Sequence, residues 1–477
     1  MYLRHLHVQN LKRLRDFKLD FLHAGQPRMW TVLIGENGTA KTTLLQAIAL
    51  AAAGGQQVNT LAGPVVRNLR DRRSPKEQLE IDAEFEFTPS GRSADIHPFL
   101  DRVPNPLRLR SDVFLTPGST SMFARSRYLD GQSKPLQKPV KQRAGYVVNE
   151  PLDRARAEHT RLWFVAGYGI SRALPDASSM PPFDRPSIER MQPLFSAQAG
   201  LASTSFSNHF AKKDREERRK AGTTYRMFSR MLNKAIKLGG DDLLPGIAKL
   251  ELRGTGGDRT ATDMIESDRF HQRMGRHIQK IAGVALSHGY QSTLAWIADL
   301  IGHILLEAKD EVSTVDMEGL VLLDEIDLYL HPAWQATFVT ALRRVFPKIQ
   351  FVATTHSPVI LAGLAPHEVV RLQVDAESGD VVRAAWDPST GQVVAANGHN
   401  WPQPDPRPMT GSEIYNTWFG VDRLTPNPHG EALRSYLMLA EDPFRTNSEQ
   451  KELVRLQKQL HASKIGELQA PVPRRSR

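Results

Sequence analysis

The chain contains no cysteine in 477 residues, so neither a disulfide framework nor a cysteine-ligated metal is open to it. It begins Met1-Tyr2-Leu3-Arg4-His5 without the apolar stretch of a secretory leader. No apolar run approaches the length that crosses a bilayer. Long heptad arrays are absent too, which excludes an extended coiled-coil arm. These absences lead to the expectation of a soluble cytoplasmic protein with no membrane contact.

The length is enough for two or three domains and an ample core. Lysine and arginine number 62 against 52 acidic residues, a formal net charge of +10. That balance admits a polyanion such as nucleic acid as a non-specific partner, or a charge simply spread over a solvated surface.

One stretch organises the rest. The apolar run Trp30 to Ile34 leads into Gly35-Glu36-Asn37-Gly38-Thr39-Ala40-Lys41-Thr42-Thr43, and Leu44 to Leu50 follows. Strand, glycine-rich turn and helix in this order make a phosphate cradle. Gly35 and Gly38 let the backbone wrap with its N–H groups inward. The helix starting near Lys41 turns its positive end to the same anion. Lys41 would reach the outer phosphates of ATP, and the Thr42 hydroxyl would bind Mg²⁺. Ala40 stands where the pattern expects a last glycine. It is read here as the residue that opens the helix, where a methyl group costs little.

Residues 1–34 read as strands, with Phe17, Leu19 and Phe21 alternating against polar neighbours. Leu79 to Phe87 alternates strictly, which predicts a strand with one wet, acidic face. Residues 88–160 read as loops and short strands, and Arg161 to Ile170 as a buried strand ending in a glycine turn. Residues 185–280 read as mainly helical. Within them, Lys212 to Lys220 is a mixed charge run, a solvated helix and the local candidate for phosphate contact. Leu294, Ile297, Ala298, Ile301, Ile304 and Leu305 make a helical apolar face. Buried strands at Leu320–Leu323 and Ile349–Thr354 flank a helix from Pro332 to Phe346, and this spacing implies a parallel sheet. Residues 368–394 read as a hairpin, and the tail from Ser412 as helical.

Asp324 and Glu325 end the strand Leu320–Leu323, on the side of a parallel sheet where ligands bind. Asp324 would hold Mg²⁺, and Glu325 would act as general base on the attacking water. His356, at the end of the next strand, could hydrogen-bond the γ-phosphate. Ser287 and Gly289, in Leu286-Ser287-His288-Gly289-Tyr290-Gln291-Ser292, open the apolar helix and make a second anion site. Two anion sites for one nucleotide suggest a site shared between subunits, hence a homodimer or larger homo-oligomer.

These pieces in this order resemble the ABC-type ATPase heads of SMC, RecF and OLD-family proteins. Gly35 to Thr43 resembles Walker A, apart from Ala40. Leu286 to Gly289 resembles the signature, Leu322 to Asp327 Walker B with Glu325 as catalytic glutamate, and His356 the switch histidine. Leu328 to Gln335 is similar to the D-loop and His-Pro helix of the OLD/RecF branch. The resemblance implies an α/β fold: a P-loop mixed sheet with an antiparallel β subdomain, a helical insertion and a small helical C-terminal region. The expected divisions are 1–175, 176–285, 286–367 and 368–477. A Q-loop glutamine is missing, and the turn Tyr168 to Arg172 is the stand-in that the resemblance suggests. Roughly 120 residues follow His356, short for the Toprim nuclease module of OLD proteins. Asp375, Glu377 and Asp380 lie in a turn-like stretch, so no nuclease centre is expected. The chain is thus similar to the stand-alone ATPase subunits of Septu and retron antiphage systems, which act with a separate effector, often a nuclease. A RecF-like repair ATPase that clamps DNA is the alternative. A transporter subunit fits less well, given the long 60–280 insertion and no LSGGQ run.

Overall fold

The computed structural model describes residues 1–87, 106–130, 132–135, 151–157, 163–172, 183, 185–202, 206–216, 223–239, 243–251, 269–307, 314–387, 389–390, 392–396, 403–420, 429–463 and 468–474. They form two compact units, 1–414 and 415–477.

Two large sheets build most of the first unit. One is antiparallel, in the order β2-β1-β6-β7-β8: β1 (Tyr2–Leu11), β2 (Leu14–Asp20), β6 (Leu79–Phe87), β7 (Leu107–Leu115) and β8 (Phe123–Leu129). A two-residue pair, β3 (Leu22–His23) with β4 (Gln26–Pro27), adjoins it in sequence. The other sheet has seven strands. Its parallel part is β5 (Trp30–Ile34), β9 (Val165–Tyr168), β13 (Gly319–Leu323), β14 (Ile349–Thr354) and β15 (Val369–Val374). β16 (Val381–Asp387) and β17 (Gln392–Ala395) extend it antiparallel, giving the order β17-β16-β15-β5-β14-β13-β9. β5, β13 and β14 are buried at every residue, as strands covered on both faces must be.

Helix α1 (Lys41–Ala53) packs against strands of both sheets. All its residues but Thr42 are buried, and its five alanines let the sheets come close. The buried amide of Gln350 on β14 stitches the sheets together. Its Oε1 accepts from Leu3 N at 2.6 Å, and its Nε2 donates to Leu3 O at 3.0 Å and Arg28 O at 2.9 Å. A buried amide can stay only because each of these groups is partnered.

Several expectations need correction. The acidic face of β6 is not wet: Glu84 and Glu86 pair with Arg4 and Arg108, and Asp82 with Arg110. β7 and β8 are nine and seven residues long, hidden in the sequence by charges that cross-strand pairing neutralises. Residues 185–280 contain helices α2 (Phe206–Glu216) and α3 (Thr223–Gly239), but also a three-stranded sheet. Its strands are β10 (Ile247–Glu251), β11 (Arg269–Met274) and β12 (His277–Ala282). The charge run belongs to α2 as far as Glu216, and its remainder lies outside the described residues. The 368–394 hairpin is a continuation of the seven-stranded sheet through β15.

Helix α4 (His288–Glu307) and helix α5 (Pro332–Val345) complete the layer, and α3 packs on both. α6 (Gly411–Phe419) runs across the boundary between the units. In the second unit, α7 (Gly430–Glu441) and α8 (Asn447–Ala462) close a small core over Tyr436, Leu453, Leu456 and Leu460. No helix among the described residues is long and apolar enough to cross a membrane.

Candidate functional site: a phosphate cradle beside an acidic strand end

β5 ends at Ile34, and the chain turns at Gly35 with φ 153°. A Cβ there would overlap Leu372 O and come within 2.8 Å of Thr39 Oγ1, so only glycine admits β15 this close. Asn37 and Gly38 are exposed at the loop tip. Thr39 is buried and ties the loop to itself, donating Oγ1–H to Glu36 O at 2.7 Å.

Ala40 departs from the expectation. It does not sit inside the helix but caps it from the left-handed region, φ 61° and ψ 21°. For an L-residue that conformation costs about 1–2 kcal/mol, more than one methyl group in a helix would. The glycine of the pattern is therefore a backbone requirement, and this chain meets it with strain.

Lys41 is buried to 8% exposure, and its ammonium donates to Gly35 O at 2.8 Å and Glu36 O at 2.9 Å. An ammonium has three protons, so one remains for an anion in the cradle. Burial lowers its pKa, while the charges of Asp324 and Glu325 oppose that. Lys12, in the β1–β2 turn, donates to Thr43 Oγ1 at 2.9 Å. Nothing in the sequence pointed to Lys12.

β13 lies two strands from β5 and delivers its carboxylates to the same end of the sheet. Thr42 Oγ1 donates to Asp324 Oδ2 at 2.8 Å, and Thr354 Oγ1 donates to Asp324 Oδ1 at 2.7 Å. A hydroxyl and a carboxylate oxygen so placed are hard ligands suited to Mg²⁺. Glu325, at φ 48°, is also held in the left-handed region. Its backbone is fixed at both ends: its N–H donates to Thr354 Oγ1 at 2.7 Å, and its carbonyl accepts from Arg172 Nη2 at 2.5 Å. Such over-determined strain gathers at functional sites. Thr354 was read only as the end of a buried strand. A polar residue closing an apolar run beside Thr355-His356 was the available signal.

His356 is exposed and feels the charges of Lys41, Glu325, Asp327 and Asp324. Partial desolvation of its ring, then Lys41, lower its pKa, and the carboxylates of Glu325, Asp327 and Asp324 oppose that. Thr355 Oγ1 bonds the Asp327 carboxylate, and Gln335 on α5 donates to Leu330 O at 2.8 Å. The turn after Walker B is thereby anchored to β14 and α5.

Arg172 stands where the missing glutamine was sought. The parallel register of β9 with β13 carries the chain past Tyr168, whose carbonyl accepts from Asp324 N at 2.9 Å, to this arginine. Burial pushes its pKa down to about 10, against the pull of the Asp324, Asp327 and Glu325 charges.

Ser287 and Gly289 lie apart from this network. Ser287 is exposed at the entry to α4, and its carbonyl accepts from Gln291 N at 3.0 Å. A Cβ on Gly289 would sit 2.6 Å from Tyr329 O, so the helix start leans on the turn after Walker B. Among the described residues no hydrogen bond joins Ser287 to the cradle. Asp375 and Asp380 close the β15–β16 turn, where Asp380 pairs with Arg73 and Asp375 accepts from Ser378.

A P-loop on a parallel sheet, with a strand-end carboxylate bonded to its threonine, defines a P-loop ATPase. The chain belongs to the family described as "AAA domain, putative AbiEii toxin, Type IV TA system", whose model matches residues 30–362. It is similar to the Septu protein PtuA of Bacillus mycoides (strain KBAB4), 23% identical over 464 residues, 96% of this chain and 50% of that one. It is also similar to the Retron Ec83 probable ATPase of Escherichia coli, 36% identical over 117 residues, 24% of this chain and 19% of that one. The chain thus spans at most half the length of these curated relatives. Among solved structures it resembles an SMC head bound to the C-terminal winged-helix domain of ScpA, at 14% identity and TM-score 0.45, covering 82% and 99% of the two chains.

Proposed function

We propose that this chain binds and hydrolyses ATP as the ATPase subunit of an antiphage defence system, and that its nucleotide state governs a separate effector, a nuclease. The observation that carries the ATPase part is the Thr42–Asp324 bond beside Glu325, with Lys41 holding the cradle. Similarity to Septu and retron proteins supports the defence part.

The loop N–H groups and Lys41 bind the phosphates and orient the terminal one. Thr42 and Asp324 are the pair to hold Mg²⁺, whose charge offsets that of the phosphates. Glu325 takes the proton of the attacking water, and the bonds to Thr354 and Arg172 keep its backbone in place. His356 donates a hydrogen bond to the terminal phosphoryl oxygen. Ser287 and the first N–H groups of α4 serve the nucleotide of a second copy, so the working unit is at least a homodimer.

The test has two parts. ATP turnover of the purified chain should fall when Glu325 becomes glutamine while ATP binding persists, and equal turnover would overturn the site. Affinity capture at native expression level, with the neighbouring genes present, should recover one nuclease-type protein in fixed ratio. A monomeric chain with no stoichiometric partner would overturn the effector reading.

A further inference from the structure

We propose that the solvent face of α3, with Lys249 of β10, binds the phosphodiester backbone of nucleic acid. This site is separate from the ATP cradle and does not depend on its reading.

α3 is amphipathic. Phe228, Met231, Leu232, Ala235 and Ile236 are buried. The opposite face carries Arg226, Arg230, Lys234 and Lys237, all exposed, and the helix has no acidic residue. The spacing of four, four and three residues keeps the cations on one stripe. It runs for about 16 Å along the helix at 1.5 Å per residue.

The stripe borders a groove of about 450 Å³ whose lining includes Arg226, Arg230, Lys237 and Lys249 and no carboxylate. The groove floor is built, not incidental. The Asn233 amide donates to Ser229 O at 2.8 Å and Leu250 O at 2.9 Å, and accepts from Leu250 N at 2.9 Å. Helix and strand are thereby locked, and the four cations are held on one surface.

Neutralisation separates this surface from the other basic face. On the antiparallel sheet, Arg4, Arg108, Arg110 and Arg127 all meet carboxylates. Arg226, Arg230, Lys237 and Lys249 meet none among the described residues. The nearest acid on β10, Glu251, is bonded to His271 at 3.1 Å and Lys280 at 3.5 Å. Like charges one turn apart repel, so the stripe weakens the free helix. A linear polyanion would relieve that repulsion at several points together. The charge run of α2 fits less well, because Lys212 there faces Glu216.

The assay is fluorescence anisotropy of the full chain with a labelled random-sequence DNA duplex, its single strand and the matching RNA, from about 50 to 200 mM salt. Wild type should bind, with affinity falling steeply as salt rises. The variant Arg226→Ala/Arg230→Ala/Lys237→Ala/Lys249→Ala should flatten the log–log salt slope by about 3.6 for duplex or about 2.8 for single strand. Arg226→Lys/Arg230→Lys should keep the wild-type slope. ATP binding, measured in parallel, should not move, and the unfolding midpoint should not fall. If the quadruple variant does not fold, Arg226→Glu/Arg230→Glu replaces it, with at least half of that slope change expected. An unchanged slope overturns the proposal. So does wild-type binding to polyglutamate with none to any oligonucleotide, which would assign the groove to an acidic protein.

Discussion

The cradle and the start of α4 are two helix entries built on different plans. In the cradle, Lys41 is tied to the loop carbonyls and Thr42 to Asp324, which in turn accepts from Thr354. At Ser287 the side chain is exposed, and among the described residues its backbone carbonyl alone is engaged. One entry is organised before any ligand arrives, and the other is left open. A preorganised site carries the chemistry. An open one suits an anion that arrives already bound to something else, such as the nucleotide on a second subunit.

The strongest way to break this comparison is at Lys41. Lys41→Ala removes the charge and both loop bonds together. ATP affinity should fall about 100-fold or more, since charge-assisted hydrogen bonds are worth about 1.5–3 kcal/mol each. Equilibrium binding of a fluorescent ATP analogue measures this. Retained affinity would mean that the cradle is not the nucleotide site.

Glu325→Gln comes next. The amide keeps the shape and the phosphate contacts but cannot take a proton. Steady-state turnover should drop about 10²–10⁴-fold with ATP affinity unchanged. Native mass spectrometry with ATP should then show the dimer accumulate. Normal turnover would remove Glu325 from the mechanism.

How much of this was legible beforehand depended on what each element buries. β5, β13 and β14 are mostly apolar and buried at every residue because parallel strands are covered on both faces, so their bounds came out within a residue. β10 to β12 escaped. Every residue of β12 from His277 to Lys280 is exposed, so no apolar pattern marks it as a strand. The acids of β6 were seen, but not the arginines on β1 and β7 that pair with them, because partners far apart in sequence leave no local trace. Walker residues were readable as letters at fixed spacing. The backbone angles of Ala40 and Glu325 were not, since letters carry no φ.

A smaller effect tests the open half. Ser287→Arg should leave ATP binding by the cradle intact and suppress turnover. Mixed with Lys41→Ala, it should regain activity. Each mutant homodimer has two spoiled sites, while the mixed dimer has one doubly spoiled site and one built from intact halves. With random exchange about a quarter of all sites recover. The readout is ATP turnover of the co-expressed pair against each parent. No recovery despite proven heterodimers would place Ser287 within its own chain's site, or couple the two sites obligatorily.

The smallest effect is at Ala40, where the organised half carries its own strain. Three contributions oppose one another in Ala40→Gly. Relief of the left-handed backbone stabilises the folded chain by about 1–2 kcal/mol. The added freedom of the unfolded chain costs about 0.4–1 kcal/mol. Ala40 also packs, partly buried, against the main core, and removing its methyl costs up to about 0.8 kcal/mol. The sum lies near zero, which explains how an alanine persists at a position whose backbone favours glycine. The unfolding midpoint should therefore move by less than about 3 °C, and ATP affinity should not fall. Thermal denaturation with and without ATP decides it. A gain well beyond that range would mean the methyl group packs against nothing. A loss of ATP affinity with stability unchanged would mean that the methyl group itself positions the loop for the nucleotide, and that the cradle is tuned to alanine rather than merely tolerant of it.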